Sequence, residues 1–126
     1  MTRGILLFAH GARDPRWALP FHDVARRVSE REPAAAVQLA FLEFMTPTLR
    51  TAGEALVASG CTRVDVVPLF LGAGGHVRKD LPALLAELSA EHPTVQWQLQ
   101  RAIGEIDSVI EAMARAALQP GDLQSP

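Results

Sequence analysis

Hydrophobic positions along this chain fall into two alternating patterns. Continuous apolar runs occupy Gly4 to Ala9, Ala36 to Phe44 and Arg63 to Leu71, and the stretch from Thr94 to Gln100 alternates through Val95, Trp97 and Leu99. Runs of this length predict strands, and the unbroken ones read as strands buried on both faces of a parallel sheet. Between them the spacing turns helical. Phe21, Val24, Ala25 and Val28 fall on one stripe, with Pro33 as the stop. Thr46 and Pro47 supply an N-cap and a first helical residue for a second helix that ends at Gly60, a left-handed stop. A third helix carries Leu81, Leu84, Leu85 and Leu88, with Pro82 expected in its first turn. A fourth carries Ile106, Val109, Ile110, Met113 and Ala117. Such alternation selects an α/β three-layer sandwich, a four-stranded parallel sheet flanked by helices on both faces. No linker divides it, so one domain is expected over residues 1–118, followed by a loose tail at 119–126.

Composition narrows the partners. The chain has 126 residues, 48% hydrophobic and 21% charged, which suits one domain with a real core. Cys61 is the one cysteine, so no disulfide forms within the chain, and the residue reads as a small buried group. Twelve Lys+Arg against 14 Asp+Glu leave a net charge of -2, which offers no general attraction for nucleic acid or an anionic membrane. The apolar runs are too short for a membrane span or a signal-peptide core, and the expected location is cytoplasmic.

In an open parallel sheet, ligands bind beyond the carboxyl ends of the strands. His10 follows the first strand, Glu43 ends the second, and His76 closes the Gly72-Ala73-Gly74-Gly75 loop after the third. Three residues suited to metal ligation and proton transfer thus reach one edge from three segments. Each has a structural alternative. His10 can cap its strand, and His76 can be an ordinary exposed loop residue. Glu43 sits in the apolar run Phe41-Leu42-Glu43-Phe44-Met45, where a buried carboxylate requires a partner, be it an Arg, a backbone amide or a ligand. Arg13, Arg16, Arg78 and Lys79 lie in the same two edge loops and, with Gly74 and Gly75, form the candidate substrate-binding set; clustered cations suit a substrate with several carboxylates.

Other readings are weaker. His22 and His92 belong to helices and read as structural, Trp17 and Trp97 as packing groups. The glycine loop has neither the G-x-x-x-x-G-K-[ST] nor the G-x-G-x-x-G pattern, so no ATP and no nucleotide is expected. His10-Gly11 followed by Arg13 is partly similar to the phosphohistidine phosphatases, but Ala9 stands where those have an Arg.

Three motifs in combination carry a closer resemblance. Phe8-Ala9-His10-Gly11-Ala12-Arg13-Asp14-Pro15-Arg16, Phe41-Leu42-Glu43-Phe44, and Val67 to Leu71 continued by Gly75-His76-Val77-Arg78-Lys79-Asp80-Leu81-Pro82 resemble the sirohydrochlorin chelatase family, in its small single-domain CbiX type. The resemblance covers residues 4 to about 117. It implies a chelatase-like, flavodoxin-related fold and a class II chelatase: ATP-independent insertion of a divalent metal, typically Co²⁺, with Ni²⁺ or Fe²⁺ in relatives, into sirohydrochlorin, in cobalamin or siroheme-type biosynthesis. The family's two metal-binding histidines fall on His10 and His76, and its acidic residue on Glu43. Where many relatives carry a Gly-His pair, this chain reads Ile103-Gly104-Glu105, so no further ligand is assigned there. Larger members hold two such domains in one chain, so a homodimer is expected here. A non-catalytic metal or tetrapyrrole carrier using the same histidines is the alternative.

Overall fold

The computed structural model describes residues 2–72, 74–119 and 121, and for His76 the backbone alone. Strands β1 (Thr2–Ala9), β2 (Ala36–Phe41), β3 (Cys61–Pro68) and β4 (Gln96–Leu99) form one parallel sheet in the order β2-β1-β3-β4. Helices α1 (Leu19–Arg31), α2 (Leu49–Ala58), α3 (Gly75–Glu91) and α4 (Asp107–Leu118) follow the strands in turn, with short 3₁₀ turns at Pro15–Ala18 and Ile103–Glu105. The α/β architecture expected from the sequence is present. Chain direction across the sheet reverses between β2 and β3, so β1 and β3 flank the switch point, where an open sheet of this kind opens a crevice at its carboxyl edge.

Side chains alternate between the sheet's faces and build two cores. Leu6, Phe8, Val64 and Val66 meet α2 through Leu49 and Leu56, and α3 through Leu81, Leu85 and Leu88. On the other face Ile5, Leu7, Leu39 and Phe41 meet Phe21, Ala25 and Val28 of α1. Burying each such side chain is worth about 1.5–3 kcal/mol, so β1, covered on both sides, anchors the fold.

Several boundaries differ from the sequence reading. β2 ends at Phe41, not Phe44, because the chain turns there and Phe44 adopts a positive φ of 66°. The cap of α2 is Thr48, whose Oγ1 accepts from the Thr51 N–H at 3.2 Å, two residues after the expected Thr46. Helix α3 begins at Gly75, so Pro82 lies two turns inside it instead of in the first turn. β3 stops at Pro68 and β4 spans only Gln96–Leu99. Gly60 does provide the left-handed stop, at φ 89°.

Helix coverage is also incomplete. α1 covers the β1 and β2 half of its face, whereas α4 has no buried residue and makes its main contact with the Ile103–Glu105 turn. An apolar groove is left open over β1 and β3.

Asp65 is the buried charge of the sheet, 1% exposed in the middle of β3. Its carboxylate accepts from Arg3 Nε at 2.9 Å, Arg63 Nε at 3.3 Å and Gln100 Nε2 at 3.4 Å, which compensates its desolvation. Among the described residues no helix is long and apolar enough to cross a membrane.

Candidate active site at the carboxyl edge of the sheet

β1 ends at Ala9, and His10 is the first residue beyond it, exposed at the switch point. Its imidazole lies against the ring of Phe70, with centroids 4.1 Å apart and planes inclined by 27°. Phe70, just past β3, is 1% exposed and also meets Phe8 at 5.7 Å. A rigid aromatic floor therefore sets the plane of an otherwise solvent-facing ring.

Glu43 belongs to the same edge, but by a different route than the sequence suggested. It is exposed, with no hydrogen bond or ion pair from its carboxylate among the described residues, so the buried-partner requirement does not apply. Its backbone is what is fixed. The Glu43 N–H donates to the His10 carbonyl at 3.0 Å, and the Leu42 N–H donates to the Ala9 carbonyl at 2.9 Å. Gly11 permits this approach: it has φ 87°, and a Cβ there would overlap the carbonyl oxygen of Glu43.

His76 is the second residue of α3, which starts from the loop after β3, so its backbone stands on the same edge; its side chain lies outside the described residues. Gly74 and Gly75 are exposed at the start of that helix, and Ala73 between them and Gly72 lies outside the described residues.

The four cations are all exposed but differently engaged. Arg13 places its guanidinium 4.6 Å from the centre of the Phe44 ring, a cation–π contact. Arg16 approaches Asp14 at 3.7 Å, and Arg78 approaches Glu105 at 3.6 Å. Lys79 forms no ion pair among the described residues.

Sequence reasoning missed the apolar surroundings of this edge. Leu42 and Phe44, which flank Glu43 in the chain, and Leu71, which follows Phe70, are 44%, 57% and 70% exposed, and Phe70 serves as a floor for His10 and not only as core. A signal existed in the Phe41 to Met45 run, which is longer than the strand needs. Two cavities open nearby, of about 180 Å³ beside Phe70, Arg78 and Glu105 and about 90 Å³ beside Phe8, Leu42 and Asp80.

The remaining chemistry-bearing residues are structural. Trp17 packs on Phe21 at 4.6 Å, and Trp97 packs on Gly53. Cys61 is buried, and burial pushes its thiol upward. His92 caps the end of α3. Glu54, Glu91 and His92 bring ligand atoms within 4.8 Å of one another, but Glu91 is already held by Arg50 at 2.6 Å.

The CbiX family model matches residues 4–119. A sirohydrochlorin cobaltochelatase of Saccharolobus solfataricus is 39% identical over 84 residues, 65% of this chain and 62% of that protein. Another, from Saccharolobus islandicus strain L.S.2.15, is 38% identical over 96 residues, covering 75% and 71%. A sirohydrochlorin ferrochelatase of Bacillus subtilis is 27% identical over 113 residues, 90% of this chain but 43% of the relative. The chain thus spans less than two thirds of the Saccharolobus solfataricus and Bacillus proteins. Among solved structures, a cobalamin biosynthesis CbiX protein from Marinobacter aquaeolei VT8 superposes with a TM-score of 0.78 at 36% identity, covering 91% of this chain and 93% of that one. The sirohydrochlorin chelatase SirB from Bacillus subtilis subspecies spizizenii, in complex with cobalt, gives 0.80 at 27% identity over 93% of this chain and 50% of SirB. With its fold and nearly its whole length matched, the chain belongs to the CbiX family.

Proposed function

We propose that this protein inserts a divalent metal ion, cobalt foremost and nickel or iron as alternatives, into sirohydrochlorin without ATP, at the carboxyl edge of β1 and β3. The observation that carries this reading is His10: an exposed imidazole held at a set inclination on a buried ring, at the switch point of a CbiX-family sheet. The relatives named for sirohydrochlorin and for cobalt or iron support the choice of substrates.

Metal entry into a tetrapyrrole exchanges two pyrrole N–H protons for one dication. The protein must hold the incoming ion weakly enough to release it and must offer a base for the protons. Neutral imidazole does both, binding borderline ions and accepting protons near neutral pH. An imidazolium does neither, so insertion weakens as the medium is acidified. On this reading His10 and His76 receive the metal from opposite sides of the switch point. Glu43, tied to His10 through the backbone, presents a carboxylate that attracts the ion or takes the second proton.

The edge also suits the macrocycle. Exposed Leu42, Phe44 and Leu71 offer apolar surface to its face, while Arg13, Arg16, Arg78 and Lys79 offer cations to its carboxylates, with Gly74 and Gly75 giving close backbone approach. Cavities of about 180 and 90 Å³ fall below the roughly 300–1,000 Å³ usual for ligand pockets. A homodimer is therefore part of the proposal: this chain matches half of SirB, and a second copy supplies comparable bulk for the missing wall.

The test is the initial rate of metal insertion in wild type and in His10→Ala and His76→Ala. Each substitution should lower the rate by roughly 100-fold or more, as for loss of a general base or ligand. Near-normal rates in both variants would overturn the assignment.

A further inference from the structure

Of the four cations at the carboxyl edge, one is both fixed in place and left without a countercharge. Arg16 lies 3.7 Å from Asp14 and Arg78 lies 3.6 Å from Glu105, so a carboxylate already partners each of them. Lys79 is a point charge on a flexible stem. Arg13 has no ion pair among the described residues, and its guanidinium carbon stands over the Phe44 ring, 4.6 Å from the centroid. An aromatic ring holds a guanidinium by its face, which leaves the N–H groups around its edge to fork a carboxylate.

Phe44 is an unfavourable residue for that position on stability grounds. Among the described residues it is the one non-glycine at positive φ, 66°, a conformation that crowds any side chain and suits a bulky one least. Burial does not offset the strain, because the residue is 57% exposed. A surface cation–π contact is weaker than the strain, so stability alone favours glycine here. The bonding around the residue maintains it. The Phe41 N–H donates to the Pro47 carbonyl at 2.9 Å and closes the 42–47 loop, while the N–H groups of Leu42 and Glu43 tie that loop to Ala9 and His10. Met45, one residue on, packs against the core. Phe44 is thus held at the surface directly after Glu43, and strain over-determined in this way collects at ligand sites.

We infer that Phe44 is a positioning residue for Arg13, and that the pair forms the corner of the site that reads a carboxylate on the rim of the macrocycle. This rests on the substrate proposed above and adds which cation selects it. The ring sets the guanidinium plane before substrate arrives, so less side-chain freedom is lost on binding. The two loops that carry Arg13 and Phe44 also carry His10 and Glu43, and backbone bonds join them. A carboxylate seated on Arg13 therefore fixes where the macrocycle lies relative to His10 and Glu43.

Two measurements on the full chain test the pair: steady-state insertion at saturating Co²⁺, and titration with sirohydrochlorin in the absence of metal, followed by absorbance. Phe44→Ala and Arg13→Ala should each raise KM and the metal-free Kd about tenfold, as for loss of a charge-assisted contact, with kcat changed less than about threefold. Arg13→Lys keeps the charge but loses the fork and the stack, and should resemble Arg13→Ala. Phe44→Tyr keeps the ring and should hold KM within about twofold of wild type. The double variant should be no worse than about twice either single variant, since the two residues act as one unit. Phe44→Gly should melt about 2–4 °C above Phe44→Ala, against the usual order, because glycine accepts φ 66°. An unchanged KM in Phe44→Ala overturns the pairing, and so does a Phe44→Tyr variant as impaired as Phe44→Ala; metal insertion by wild type would then leave the substrate assignment standing. A wild type that neither binds nor metallates sirohydrochlorin overturns both.

Discussion

The imidazole of His10 rests on Phe70 at a centroid distance of 4.1 Å, so the residue proposed to take the metal and the proton is positioned by a ring that is itself core. Phe70→Leu separates these roles. It keeps most of the buried volume and should cost less than about 1.5 kcal/mol in urea unfolding, yet it removes the flat floor. Insertion should slow by about tenfold with the fold retained. An unchanged rate would mean that the stack does not orient the imidazole.

Glu43 and Gly11 form the second test. Glu43→Gln removes a charge from an exposed side chain, so stability should stay within about 0.5 kcal/mol while insertion falls. Gly11→Ala strikes the Glu43 carbonyl and forces a side chain onto φ 87°, so it should lower both stability, by at least about 1 kcal/mol, and activity. Full activity in Glu43→Gln would leave the residue only its backbone bond to His10.

Asp65→Asn tests the buried network away from the site. The neutral amide loses charge-assisted bonds from Arg3 and Arg63, whose side chains are about half exposed and remain solvated. A loss of about 2 kcal/mol in chemical denaturation, with insertion per folded molecule unchanged, is expected. A loss of activity at full stability would contradict a purely structural role.

Cys61 supplies the pH-dependent test. Burial raises its thiol, so at neutral pH the native protein holds even less thiolate than an exposed cysteine would. Thiol reagents should label it slowly in the native state and readily after unfolding. The stabilising contribution of the buried thiol is fully present below the pKa of the unfolded thiol and is lost as pH rises through the folded one. Rapid native labelling at neutral pH would contradict the burial.

Much of this was legible from residue order because period and burial agree. The run from Ile5 to Ala9 has no polar position, and the sheet buries it on both faces. His10 at its end was legible for the same reason. Glu43 was placed on the right edge but in the wrong environment, since the turn at Phe44 ends β2 early and moves the carboxylate into solvent. Asp65 interrupts Val64 and Val66 as plainly as Glu43 interrupts its own run, and the same burial argument applied to it would have revealed the Arg3 and Arg63 network. Periodicity marked the apolar stripe of α4 without showing what covers it. That depends on how Gly104 seats the preceding turn on Leu71, a tertiary contact with no local signature.

Turnover tests catalysis at the His10 edge most directly. Protein at a small fraction of the sirohydrochlorin concentration is mixed anaerobically with Co²⁺, and metallated product is followed spectroscopically against a protein-free control. Many equivalents of product per chain, formed faster than in the control and lost in His10→Ala, are predicted. Product that stops near one equivalent per chain would contradict the account and make the protein a carrier.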